Sequence, residues 1–143
     1  MWHMNPSSIE KMMPERALVA LINIGHSARK GGLVNQSERL FQHLSHAYPL
    51  RAFPYVGLAM ACMEKGHYAR ACTEFEQAMQ NGGEGADLFI WAAFCYYQCG
   101  RYDKVAQLLH RVDVEDARGE LYGVREMKDL LLKDVKVARL YRR

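Results

Sequence analysis

Three glycines recur at an interval of 34 residues and set the organisation of this chain. They are Gly32, Gly66 and Gly100, and an aromatic residue follows two positions after the second and third, at Tyr68 and Tyr102. Self-similarity at this period is typical of a helical array in which each repeat is one pair of helices. Glycine readily adopts the positive φ that ends a helix and turns the chain. The spacing therefore predicts three helix–turn–helix units.

The two helices of each predicted unit differ in character. Residues 53–63 and 88–97, which precede the second and third glycines, are apolar nearly all round, whereas residues 103–111 after the third glycine are amphipathic. A helix that is apolar on all sides is buried on more than one side. We therefore expect the first helix of each unit to pack inside the array and to present a further apolar face to a partner.

The composition indicates a single soluble domain. The chain has 143 residues, of which 50% are hydrophobic. Its net charge is only +3, so the molecule as a whole has no strong electrostatic attraction to nucleic acid. Residues 1–6 lack the basic and apolar segments of a secretory signal. The apolar run at residues 89–97 is too short to span a bilayer. We expect a cytoplasmic protein that does not bind nucleic acid and does not insert into a membrane.

The cysteines predict no cofactor. Cys62, Cys72, Cys95 and Cys99 fall inside predicted helices, where we expect them to be small buried apolar residues in a reducing compartment. The alternative is a soft-metal site at Cys95 and Cys99, which share a helix face. No further ligand stands close to this pair in the sequence, so we expect neither a metal nor another cofactor.

Motifs of catalysis are missing from the sequence. It contains no phosphate-binding loop, no nucleophile elbow and no zinc-binding HExxH motif, and its glycines are spaced as turns. Isolated cysteines and histidines inside helices are weak signals of a thiol site. The sequence therefore predicts a binding protein and not an enzyme.

The second unit resembles the tetratricopeptide repeat, whose pattern contains small and aromatic residues at set positions of a 34-residue period. The matching residues are Tyr55, Leu58, Ala59, Gly66, Tyr68, Ala71, Phe75 and Ala78. The physical basis of the pattern is close packing, because small residues let two helices approach and aromatic residues fill the space between them.

This resemblance implies an all-α fold of three helical hairpins stacked in a right-handed array. We expect the repeats at about residues 18–51, 52–85 and 86–119, within a repeat region that covers residues 15–119. Residues 120–143 are expected to form one capping helix with a basic tail, because their apolar residues follow helical spacing. Residues 1–14 form an N-terminal segment that either packs on the first repeat or stays mobile.

In such an array the first helices line the concave wall, which is where a partner would bind. Methionines and aromatic residues at helical spacing are usually core residues, but here they are too numerous for one buried stripe. We therefore predict an apolar groove for an amphipathic helix or an extended peptide. Carried over from the resemblance, the predicted partner-binding residues are Ile22, His26, Phe53, Val56, Met60, Met63, Ile90, Trp91, Phe94 and Tyr97.

One class of tetratricopeptide-repeat protein is excluded by these positions. Relatives that bind the C-terminal carboxylate of a chaperone carry lysines, asparagines and an arginine in the groove. The corresponding positions here are Ile22, His26, Gly57, Asp87 and Trp91. A co-chaperone of the heat-shock type is therefore not expected.

The layout is similar to the small chaperones of bacterial type III secretion, over most of residues 15–135. The resemblance lies in the repeat plan and in three segments, residues 24–26, 86–91 and 121–126. It implies a cytoplasmic chaperone that binds an amphipathic helix of a needle subunit in the groove and prevents premature polymerisation. The alternatives are a chaperone of translocator subunits and a general scaffold for protein interactions. A small helical co-chaperone, and a homodimer that buries the empty groove, remain open as further partners.

Overall fold

The computed structural model describes residues 13–143, and all the regular secondary structure in this range is helical. The expectations for residues 1–12 lie outside the described residues. None of the helices within residues 13–143 has the length and apolarity needed to cross a bilayer. The helices are α1 (Glu15–Lys30), α2 (Val34–Ala47), α3 (Phe53–Glu64), α4 (Tyr68–Gln80), α5 (Ala86–Gln98), α6 (Tyr102–Glu115), α7 (Tyr122–Leu132) and α8 (Val135–Tyr141).

The first six helices form three hairpins, α1 with α2, α3 with α4, and α5 with α6. Within these six helices, each packs on the next along the chain, and the first helices of the first two hairpins contact each other. The three periodic glycines stand in the hairpin turns with positive φ, at 92° for Gly32, 76° for Gly66 and 72° for Gly100. The predicted all-α stack of helical hairpins is therefore confirmed.

The same turn is built three times. In each, the backbone N–H of the residue after glycine donates to a carbonyl five residues earlier, which satisfies the end of the first helix. The three hydrogen bonds run from Leu33 to Ala28 at 2.8 Å, from His67 to Cys62 at 2.9 Å and from Arg101 to Tyr96 at 2.9 Å. This recurring geometry explains the 34-residue period of the sequence.

The Phe41 side chain of α2 packs closely against both α1 and α3. Its ring is fully buried and lies over two glycines inside helices, Gly25 of α1 and Gly57 of α3. A Cβ atom at Gly25 would stand 2.7 Å from the ring, and one at Gly57 only 2.2 Å from it. Gly57 is therefore a core position beneath Phe41.

The prediction of a single C-terminal helix was also wrong, because the chain breaks into α7 and α8 at Asp134. The Asp134 side chain accepts a hydrogen bond from the backbone N–H of Lys136 at 2.9 Å, which caps the start of α8. Its other carboxylate oxygen accepts a hydrogen bond from the Tyr97 hydroxyl at 2.8 Å. The break lets α7 pack on α5 while α8 packs on α6.

Candidate peptide-binding groove

Two neighbouring cavities lie along the first helices of the hairpins, and together we call them the groove. One has a volume of about 400 Å³ and joins α1, α3 and α5. The other, of about 390 Å³, lies between α5 and α7. Both are lined by Asp87, Trp91 and Leu121, so they form one continuous depression. The groove thus crosses the first helix of every hairpin and continues onto α7.

Five of the ten predicted partner-binding residues line this groove. The larger cavity is lined by His26, Val56, Met60 and Trp91, and the smaller cavity by Ile90 and Trp91. Ile90 is only 3% exposed and belongs to the core, whereas the other four are half-buried. Half-burial leaves part of each side chain accessible to a partner, although their role in binding remains a prediction.

Aromatic contacts hold Trp91 in place. Its ring meets Phe94 edge-on, with centroids 6.2 Å apart, and Phe94 in turn meets Tyr68 edge-on at 5.9 Å. Neither of the two cavities is lined by Phe94. Phe94, although predicted to touch the partner directly, therefore supports the Trp91 ring from beside the groove.

The remaining four predicted residues lie outside the two cavities. Phe53 packs on Tyr48 with centroids 5.5 Å apart, at the joint between the first two hairpins. Tyr97 makes the hydrogen bond to Asp134 that helps to position α8. Ile22 and Met63 pack against the edges of the hydrophobic core. Their contacts are those of structural residues.

The contribution of α7 to the groove was not predicted from the sequence. Leu121, directly before α7, is 46% exposed and lines both cavities, and Met127 lines the smaller one. The amphipathic spacing of this segment is visible in the sequence, but the spacing predicted only a helix that caps the end of the array. The helix therefore closes the array and also extends the wall of the groove.

Comparisons with known proteins agree with the helical-hairpin fold. The family model described as tetratricopeptide repeat matches residues 62–125, and no curated protein matches the chain. A type III secretion complex from Aeromonas hydrophila superposes with a TM-score of 0.74 at 19% identity, covering 88% of this chain and 85% of that chain. PcrH, in complex with the chaperone binding region of PopD, gives 0.73 at 19% identity, with coverages of 90% and 96%. The Yersinia enterocolitica chaperone SycD, with a peptide of the translocator YopD, gives 0.70 at 16%, with coverages of 87% and 98%.

This chain has the tetratricopeptide-repeat fold. The match to the family model includes the turn at Gly66 and the turn at Gly100, two of the three that share one hydrogen-bonding geometry. The tetratricopeptide-repeat array accounts for residues 15–115 as three hairpins, and α7 and α8 follow it.

The edges of the groove differ in charge. Glu84 and Asp87 line the side formed by the start of α5, where they place acidic groups beside the apolar floor. On the opposite side, burial lowers the pKa of His26, and the nearby charges of Arg29 and Lys30 lower it further. His26 is therefore neutral at pH 7, packed on the Phe41 ring with centroids 4.9 Å apart.

The stability of the array should fall as pH drops through the titration range of His26. In the unfolded chain this histidine has its ordinary pKa of 6.5, whereas in the folded chain its pKa is lower. Between these values the unfolded chain binds more protons, so the free energy of unfolding decreases on acidification from about pH 7. Because the ring is only half-buried, we expect an effect of about 1 kcal/mol or less.

Urea unfolding at several pH values between neutral and mildly acidic would measure this dependence. His26→Gln should flatten it, whereas His43→Gln, at an exposed position of α2, should leave it unchanged. If His26→Gln kept the same slope as the native chain, another group would be responsible.

Three of the four cysteines are buried as predicted, and one is not. Cys62, Cys72 and Cys95 are buried, but Cys99 is exposed because α5 ends at Gln98, directly before it. Within residues 13–143, no group of three or more potential ligand side chains is arranged to hold a metal ion. The soft-metal alternative for Cys95 and Cys99 therefore has no support in the described part of the chain.

Proposed function

We propose that this tetratricopeptide-repeat protein is a chaperone of type III secretion that binds an apolar segment of a translocator subunit in its groove. The observation that carries the proposal is the continuous apolar depression across all three hairpins and α7. PcrH is solved with the chaperone binding region of PopD, and SycD with a peptide of the translocator YopD. These neighbours favour the translocator alternative over the needle-subunit prediction.

The lining of the groove suits an apolar client segment. Met60 has a flexible thioether side chain that can adapt to different client side chains. Trp91 supplies a large half-buried aromatic surface of the kind that dominates many interfaces. A general scaffold for protein interactions predicts a mainly polar groove, whereas the cavity that joins α1, α3 and α5 is lined mostly by apolar side chains. This apolar lining therefore favours a client segment that buries apolar side chains in the groove.

Burial of this segment is the proposed mechanism. A secreted subunit that assembles through apolar side chains would associate too early in the cytoplasm unless those side chains were covered. A stable protein interface buries about 1,200–2,000 Å² in total. To reach this range a client would need to fill both cavities and continue along the first helices. Release before export would expose the segment again.

Co-expression tests the proposal directly. The chain would be produced with a translocator subunit, with a needle subunit, or alone, in each case from the organism that encodes it, and the products separated by gel filtration. The proposal expects a one-to-one complex with the translocator subunit. A complex with the needle subunit alone would instead support a needle-subunit chaperone. A dimer of the chain that binds neither subunit would overturn both functions.

The fluorescence of Trp91 identifies the site in the same experiment. The chain has two tryptophans, so a Trp2→Phe variant reports on Trp91 alone. A client segment that covers Trp91 should shift its emission to shorter wavelength, since the ring leaves water. Binding without any change in emission would place the client on another surface.

A further inference from the structure

A small cavity, separate from the groove, is lined by two cysteines that belong to different hairpins. It has a volume of about 250 Å³ and lies between α4 and the turn that joins α5 to α6. Cys72 of α4 and Cys99 after α5 both line it, together with Glu76 and Tyr96. The groove cavities share none of these four residues. The function proposed above makes no use of this site.

The two thiols differ in access to solvent. Cys72 is 7% exposed, whereas Cys99 is exposed. Burial raises the pKa of the Cys72 thiol to about 12, and the neighbouring Cys99 and Cys95 thiols add to the increase. Both side chains line the same cavity, which places the two thiols at one site. The pair thus combines one thiol that an oxidant can reach with a second, protected thiol beside it.

We propose that Cys72 and Cys99 are a site of oxidative modification, at which a peroxide converts the two thiols into a disulfide between the second and third hairpins. The Cys99 thiolate first attacks the peroxide, so that an S–O bond forms, the O–O bond breaks and hydroxide (or alkoxide) leaves. The Cys72 sulfur then attacks the Cys99 sulfur, so that the S–S bond forms and the S–O bond breaks. The departing hydroxide takes the Cys72 proton and leaves as water. The two thiols lose two electrons in total, and the peroxide gains them.

The disulfide would constrain the array at a defined place. Residues 72–99 would form a closed loop that contains the whole of α5, the helix that carries Trp91. The Tyr96 hydroxyl already donates a hydrogen bond to the Glu76 carboxylate across the same cavity. The covalent bond would add to this contact between the hairpins and reduce the freedom of the unfolded chain. We expect the melting temperature to rise by roughly 5 to 10 °C on oxidation.

The experiment treats the full chain with hydrogen peroxide and maps its cysteines by alkylation and mass spectrometry. We expect a peptide pair joined through Cys72 and Cys99, loss of exactly these two free thiols, and return of the original melting temperature after reduction. Cys95→Ala is the matched control, because Cys95 stands one turn before Cys99 and should not be needed.

Two variants keep the test informative. Cys99→Ser changes an exposed position and should abolish both the disulfide and the thermal shift without affecting folding. Cys72→Ala should leave a sulfenic acid on Cys99, which dimedone traps. A disulfide between Cys95 and Cys99, or oxidation of Cys99 with Cys72 still reduced in the native chain, would overturn the proposal.

Discussion

Replacing Gly57 with alanine should lower the free energy of unfolding by about 2 to 3 kcal/mol, although alanine is the better helix former. The new Cβ atom would stand 2.2 to 2.4 Å from three ring atoms of Phe41. The ring has little room to move, since it is fully buried and Gly25 lies against it as well. The gain of about 1 kcal/mol from helix propensity is therefore smaller than the cost of displacing the ring. Urea unfolding followed by circular dichroism would measure the difference.

Gly123→Ala is the matched control for this prediction. Gly123 also lies inside a helix, α7, but a Cβ atom there would meet no atom within 4 Å. The control should therefore keep or slightly raise stability through helix propensity alone. Phe41→Leu should also reduce the cost of Gly57→Ala, so that the double variant loses less than the two single variants together. Equal losses at Gly57 and Gly123 would show that the Phe41 contact has no energetic effect.

The two kinds of glycine also show what the sequence could reveal. Gly66 and its periodic partners were found because turns recur at 34 residues and glycine accepts the positive φ that they require. Gly57 stands inside a helix, where its backbone is ordinary and only a neighbouring helix explains it. That neighbour is brought by tertiary packing, and no local pattern identifies Phe41 as the contact.

The break between α7 and α8 was not predicted for a similar reason. Val124, Met127, Leu131, Val135 and Ala138 keep helical spacing across it, so periodicity alone favours one helix. The signal that could have found the break is Asp134, because aspartate is a strong N-cap residue. Its hydrogen bond to Tyr97, which lies in the third hairpin, could not be predicted from local sequence.

The sequence indicated the apolar side of each helix but not the three-dimensional form of the groove. Helical spacing indicated which side of each first helix is apolar, and Val56, Met60 and Trp91 of the predicted set line the cavities. The angles at which the helices cross decide which of these residues meet, and those angles follow from side chains such as Phe41. Phe53 and Tyr97 therefore have structural contacts instead of positions in the cavities.

Met60→Glu and Trp91→Glu should each weaken binding of a translocator segment by at least about 100-fold, if the proposed function is correct. A client that covers either position would bury an unpaired carboxylate, which costs several kcal/mol. At position 91 the new charge would also stand one helical turn from Asp87, whose carboxylate repels it. Both native side chains are half-buried, so the glutamates can reach solvent in the free protein and the helical content should change little.

The matched control is Val114→Glu, which introduces the same charge at an exposed position of α6, away from the groove. Fluorescence anisotropy with a labelled translocator segment would compare the affinities, and circular dichroism would check the fold of each variant. The comparison is decisive because all three variants carry the same added charge. Weaker binding in the two groove variants alone would locate the client on the first helices, whereas an equal loss in Val114→Glu would show that net charge controls binding. Unchanged affinity in all three would move the client to another surface of the array.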